Sequence, residues 1–121
     1  MKKIVIIDDE ENILSVLDRY LKRKNFVEVE TYTNAKLAMP KIKAGNYDLV
    51  LLDIMMPEVN GLDLLEDIKK TNPNQKVIMM TAYSTEEKII KSDSTGACDY
   101  ITKPFISLRD VENKILDTLG I

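Results

Sequence analysis

The 121-residue chain has no histidine, no tryptophan, a single cysteine, and only four glycines and four prolines. Each absence removes a class of chemistry. Without histidine there is no Ser-His-Asp triad, no imidazole metal site and no self-phosphorylation on histidine, so histidine chemistry has to come from a partner. A lone Cys98 cannot close an internal disulfide, and its apolar neighbourhood predicts a small buried hydrophobe, not a reactive thiol. Seventeen basic residues against 20 acidic ones leave a formal charge of −3, which offers no electrostatic footprint for direct nucleic-acid binding. Met1-Lys2-Lys3 precedes only four apolar residues, too few for a signal peptide, and no apolar run approaches a membrane span. The expected setting is cytoplasmic.

What is present suits one domain over residues 1–121, because 45% of the side chains are apolar, enough for a single core. Ile4-Val5-Ile6-Ile7, Leu49-Val50-Leu51-Leu52 and Val77-Ile78-Met79-Met80 are unbroken apolar runs, as expected of parallel strands covered on both faces. Val27-Glu28-Val29-Glu30-Thr31-Tyr32 alternates instead, with glutamates suited to a sheet edge. Tyr100-Ile101-Thr102 makes a shorter fifth strand.

Amphipathic stretches separate these runs. Residues 10–24 place Ile13, Leu14, Leu17, Tyr20 and Leu21 on one face, with acids in the first turn and bases in the last. Helices are also expected from Asn34 to Ala44, around Leu62–Ile68 before Pro73, over 85–95 after Ser84, and over 108–119 after Ser107. Pro40 inside the second predicts a kink or a late start. Ser92, Asp93, Ser94 and Thr95 weaken the end of the fourth. Five strands alternating with five helices predict an α/β doubly wound, flavodoxin-like parallel sheet of order 2-1-3-4-5.

In such a sheet the strand ends form one crevice, and here they carry chemistry. Strand one runs into Asp8-Asp9, strand three into Asp53, strand four into Thr81 and strand five into Lys103-Pro104. Taken singly, these residues could cap a helix or open a turn. Taken together at four strand ends, they put three carboxylates, a hydroxyl and an ammonium on one edge. Adjacent carboxylates repel by about 1 kcal/mol or more at intermediate dielectric, which a divalent cation relieves. An all-oxygen donor set favours Mg²⁺, with Mn²⁺ as a substitute, over Zn²⁺. Lys103 and Thr81 supply the charge and hydrogen bond that a phosphoryl group needs. Asp53 stands alone at the centre and is the candidate nucleophile.

These residues resemble the receiver domain of bacterial two-component response regulators. The resemblance rests on Ile6-Ile7-Asp8-Asp9-Glu10, Leu52-Asp53-Ile54-Met55-Met56-Pro57 with Asn60-Gly61, Met80-Thr81-Ala82, Gly96-Ala97 with Asp99-Tyr100-Ile101, and Lys103-Pro104-Phe105. It implies that Asp53 accepts phosphate from a phosphohistidine on a sensor histidine kinase or histidine phosphotransfer protein. It further implies a Mg²⁺ site of Asp8 (through water), Asp9, Asp53 and the Met55 carbonyl. Thr81, Lys103 and the Ala82 N–H would bind the phosphoryl group. Thr81 and Tyr100 would form a switch that changes the surface of helix four, strand five and helix five, so the chain would act as a switch and not as a turnover enzyme. The implied output is a downstream target or an output domain of a longer transcriptional regulator. The implied state is a monomer or a weak phosphorylation-dependent dimer.

Met55 and Tyr83 offer no carboxylate or amide to orient a hydrolytic water, so slow loss of the phosphoryl group is expected. Two other readings share parts of the pattern. A haloacid dehalogenase-type phosphatase would carry an acid two residues after the nucleophile, where this chain has Met55. A flavodoxin-like flavin carrier would have a phosphate loop after strand one, where this chain has Asp8-Asp9, and there is no Trp to sandwich a flavin.

Overall fold

A computed structural model describes residues 1–57, 59–82, 96–105 and 107–121. Its strands are β1 (Lys2–Ile7), β2 (Val27–Tyr32), β3 (Leu49–Asp53), a short ribbon of β4 (Met55–Met56) and β5 (Val59–Asn60), β6 (Lys76–Thr81) and β7 (Asp99–Thr102). The helices are α1 (Glu11–Lys22), α2 (Ala35–Lys43), α3 (Gly61–Thr71) and α4 (Leu108–Leu119). The main sheet is parallel, in the order β2-β1-β3-β6-β7. Counting its own strands along the chain, that is 2-1-3-4-5, as expected. Five helices were expected, and four lie among the described residues. The remaining one, over 85–95 with Ser84 and Ser92–Thr95, falls outside them, as does Tyr83.

The unbroken apolar runs are explained by two cores, one on each face. Successive residues of a strand point to opposite sides. Val5, Ile7, Val50, Leu52, Val77 and Met79 therefore pack with α2 and α3. Their neighbours Ile4, Ile6, Leu49, Leu51, Ile78 and Met80 pack with Leu14, Leu17 and Leu21 of α1 and Val111, Ile115 and Leu119 of α4. A strand sandwiched in this way has no polar face to display. The alternating strand β2 does lie at the sheet edge.

The helix ends follow their capping chemistry. The Asn34 carboxamide oxygen accepts from the Lys36 N–H, Asn60 does the same for Leu62, and the Ser107 hydroxyl accepts from the Asp110 N–H. Gly120 closes α4 in the left-handed conformation at φ 75°. Two expectations need correcting. First, the late start expected from Pro40 does not occur: α2 starts at Ala35 and carries Pro40 as one helical residue. Pro40 is exposed, as is Lys36 one turn earlier, whose carbonyl Pro40 has no N–H to bond. Second, Cys98 is exposed instead of buried. It sits just before β7, where its N–H donates to the Val77 carbonyl at 2.8 Å, while Ala97 supplies the contact with the core.

One close approach ties the fold to the strand-end crevice. The Gly61 N–H donates to the Ile54 carbonyl at 2.8 Å. A Cβ at Gly61 would overlap the Asp53 carbonyl oxygen and lie 2.7 Å from the Ile54 Cα. Only glycine lets α3 begin against the back of this strand end. Gly61→Ala is therefore expected to lower unfolding stability by about 1–3 kcal/mol through overpacking. Urea titration measures this, and an unchanged midpoint would contradict the close approach.

Candidate functional site

The register of the sheet brings the strand ends together. Ile7 pairs with Leu52, so Asp8 emerges beside Asp53. Asp53 pairs with Met80 and Thr81 with Thr102, which places Thr81 and Lys103 next along the same edge. Backbone bonds fix each residue: the Asp8 N–H donates to the Tyr32 carbonyl at 3.2 Å and the Lys103 N–H to the Thr81 carbonyl at 2.8 Å. The Lys103–Pro104 peptide is cis. Asp8, Asp53, Thr81 and Lys103 are all buried, with Asp8 at 0% and Asp53 at 2% exposure. Asp9 and Ala82 lie at the exposed rim, and Met55 is half exposed.

A single ammonium serves several carboxylates here. Lys103 Nζ lies 2.9 Å from Asp8 Oδ2, 3.3 Å from Asp53 Oδ2 and 3.6 Å from Glu10 Oε1. The Asp8 contact is a hydrogen bond. Asp8 Oδ1 also accepts from the Glu10 N–H at 2.9 Å, and Asp53 Oδ1 accepts from the Met55 N–H at 3.2 Å. Asp53 Oδ2 is buried and accepts no hydrogen bond; its contact with Lys103 is an ion pair without hydrogen-bond geometry.

This arrangement shifts the two central groups. Burial pushes the Asp53 carboxyl up to about 7, and the charge of Asp8 and a side-chain hydrogen-bond interaction with Asp9 add to it, while Lys103 and the Met55 N–H oppose it. For Lys103, burial pulls downward, but the hydrogen bond to Asp8 and the charges of Asp53 and Asp8 outweigh it and hold the ammonium above the usual lysine range. Asp53 is thus a carboxylate poised near neutrality beside a fixed cation.

The site is short of positive charge, and the donor set is all oxygen. Asp8, Asp9, Asp53 and the Met55 carbonyl fit a hard divalent cation such as Mg²⁺, and the orphaned Asp53 Oδ2 is an acceptor ready for one. Tyr100 is half buried on β7 beside the α2–α3 core, and its carbonyl accepts from Lys114 Nζ at 2.7 Å. Glu10, which the sequence places in the first turn of helix one and in the Asp8-Asp9-Glu10 segment but gives no role at the site, lies near it. The carboxylate oxygens of Asp8, Asp9 and Glu10 all lie within 4.8 Å of one another. The unbroken Asp8-Asp9-Glu10 run was the available signal.

The family model for the response regulator receiver domain matches residues 4–116. This chain belongs to the response regulator receiver domain family. The receiver domain is 34% identical to the chemotaxis protein CheY of Thermotoga maritima over 116 residues, 94% of this chain and 97% of that protein. It is 43% identical to the regulatory protein VanR of Enterococcus faecium over 105 residues, 85% of this chain but 44% of that protein. The chain therefore spans under half of some of the regulators it resembles. A CheY-like receiver domain protein from Methanospirillum hungatei, solved by crystallography, superposes with a TM-score of 0.91 at 36% identity, covering 99% of this chain and 94% of that one. Among the described residues, no helix of the receiver domain is long and apolar enough to cross a membrane.

The raised Asp53 carboxyl makes stability depend on pH with a definite sign. Between the unfolded value near 3.8 and the folded value near 7, the folded chain holds a proton that the unfolded chain has released. The associated stability is full below about pH 4 and is lost as pH rises through 7. Asp53→Asn, which keeps the site neutral there, should therefore gain stability over wild type as pH rises from 5 to 8, by at most about 3 kcal/mol. Urea unfolding of both proteins with chelator present measures the gap, and a gap independent of pH would contradict the shift.

Proposed function

We infer that the domain is a phosphoacceptor switch. In this reading Asp53 takes a phosphoryl group from a phosphohistidine carried by a sensor histidine kinase or a histidine phosphotransfer protein. The supporting observation is the state of Asp53: a buried carboxylate at a strand end, with one oxygen free of hydrogen bonds, held between a lysine and two more acids. A phosphohistidine donor has to lie outside these 121 residues, which contain no histidine.

An Asp53 oxygen attacks phosphorus in line, the P–N bond to the donor imidazole breaks, and the imidazole leaves with the bonding pair. Phosphoryl transfer of this kind depends on positioning and charge neutralisation more than on covalent catalysis. Asp8, Asp9, Asp53 and the Met55 carbonyl would hold Mg²⁺, which supplies positive charge to the phosphoryl oxygens when bound. Lys103, fixed by its hydrogen bond to Asp8, turns from the Asp53 carboxylate to the transferred group. Thr81 donates to a phosphoryl oxygen, with the Ala82 N–H beside it. The Asp53 carboxyl must be ionised to attack, and its value near 7 keeps a substantial fraction ready at neutral pH.

The output is a population shift. Moving a conformer from about 1% to about 99% needs roughly 5.5 kcal/mol of differential stabilisation, so Thr81, Lys103 and the cation have to act together. Tyr100 and the surface of β7 and α4 carry the change to a target protein or to an output domain, and the domain is a switch, not a turnover enzyme.

The test adds a small phosphodonor such as acetyl phosphate with Mg²⁺ and reads intact mass. Wild type should gain one phosphoryl group, and Asp53→Asn should gain none. Equal gain in both proteins, or no gain in wild type, would overturn the reading.

A further inference from the structure

Away from the crevice, both peptide groups of Tyr100 meet charged side chains. Tyr100 lies on β7, the last strand in the sheet order. Its N–H donates to Asp99 Oδ1 at 2.8 Å, and its carbonyl accepts from Lys114 Nζ at 2.7 Å. Lys114 comes from α4, where Val111 and Ile115 pack in the core with Ile101 of β7. That apolar packing is non-directional, whereas the Lys114 bond fixes one carbonyl of the strand. The Lys114 side chain is half-buried. Ordering so long a side chain costs rotamer entropy, which a charge-assisted hydrogen bond offsets. The other end of β7 is tied to the crevice. Thr102 pairs with Thr81, and the Lys103 N–H donates to the Thr81 carbonyl at 2.8 Å. One short strand therefore joins the residues that face a phosphoryl group to α4, with Lys114 at the far contact.

We propose that Lys114 is a positioning residue of the switch, holding the Tyr100 segment of β7 in its resting place against α4 until the crevice takes a phosphoryl group. This rests on the phosphoacceptor reading and adds to it the contact that restrains the output surface. When Thr81 and Lys103 turn to the phosphoryl oxygens, the strand they anchor moves with them. Tyr100 then leaves a position that two charged partners define. The Lys114 bond belongs to the resting conformer and opposes the change. By linkage, whatever favours the resting conformer weakens binding of a phosphoryl group by the same factor, and removing it strengthens that binding. Protection of an open sheet edge, the other service such a contact performs, adds stability alone and leaves that affinity unchanged.

Lys114→Met keeps an apolar stem and removes the donor, and Lys114→Leu is a second variant of the same kind. Lys114→Arg restores a charged donor, and Lys70→Met, on the exposed face of α3, is the control. Beryllofluoride, a tetrahedral phosphoryl mimic that binds a carboxylate, is titrated into each whole chain at saturating Mg²⁺ and constant ionic strength. Amide NMR shifts report binding and folding, and urea titration reports stability. The apparent Kd is expected to fall about three- to tenfold in Lys114→Met and Lys114→Leu. In Lys114→Arg and Lys70→Met it should stay within about twofold of wild type. An unchanged or raised Kd in the two apolar variants overturns the Lys114 role, whatever happens to the urea midpoint, and so does an equal fall in Lys114→Arg. The phosphoacceptor reading survives either result, because wild type still binds the mimic. If wild type itself binds no beryllofluoride, that reading falls and the Lys114 role falls with it.

Discussion

The contact between Lys103 and the two buried aspartates, Asp8 and Asp53, is the interaction on which the site depends. Three charged groups are withdrawn from water at the ends of three different strands, with Nζ 2.9 Å from one carboxylate and 3.3 Å from the other. Removing Lys103 would leave two buried carboxylates uncompensated, at a cost of about 3–5 kcal/mol. The cluster is also unbalanced. Two acids share one ammonium, with Asp9 and Glu10 adding negative charge at the rim, so Asp53 is held near its protonation midpoint at neutral pH.

The fold supplies what this imbalance needs. Two apolar layers, one against each face of the sheet, fix the strand register. A slip of one residue would exchange the side chains facing the two cores and would separate Asp8, Asp53, Thr81 and Lys103. Close packing at Gly61 sets the loop that follows Asp53, and the Met55 N–H from that loop satisfies one Asp53 oxygen. The other oxygen is left without a hydrogen bond. The stable part of the molecule thus presents an acceptor whose charge is only partly met.

Much of this was legible in the sequence because the signals are local and repeated. Apolar runs without alternation mean strands buried on both faces, and each run here ends in the polar residue that reaches the crevice. Capping residues Asn34, Asn60 and Ser107 mark helix starts by hydrogen bonds within a few residues. What escaped depends on three-dimensional context. Pro40 is tolerated because it lies on the wet face of α2. Cys98 sits among apolar neighbours in sequence, yet Ala97 makes the core contact. Glu10 looked like an ordinary helix-dipole partner until the distances to Asp8, Asp9 and Lys103 were known. The β4–β5 ribbon spans too few residues to leave a periodic pattern.

The direct measurement of the central constraint is the titration of the Asp53 carboxyl by carbon NMR on aspartate-labelled protein, with and without Mg²⁺. A buried, undercompensated carboxylate should titrate near pH 7 in chelator and move to markedly lower pH when the cation is added. Titration in the ordinary aspartate range near 4, unmoved by Mg²⁺, would contradict the account.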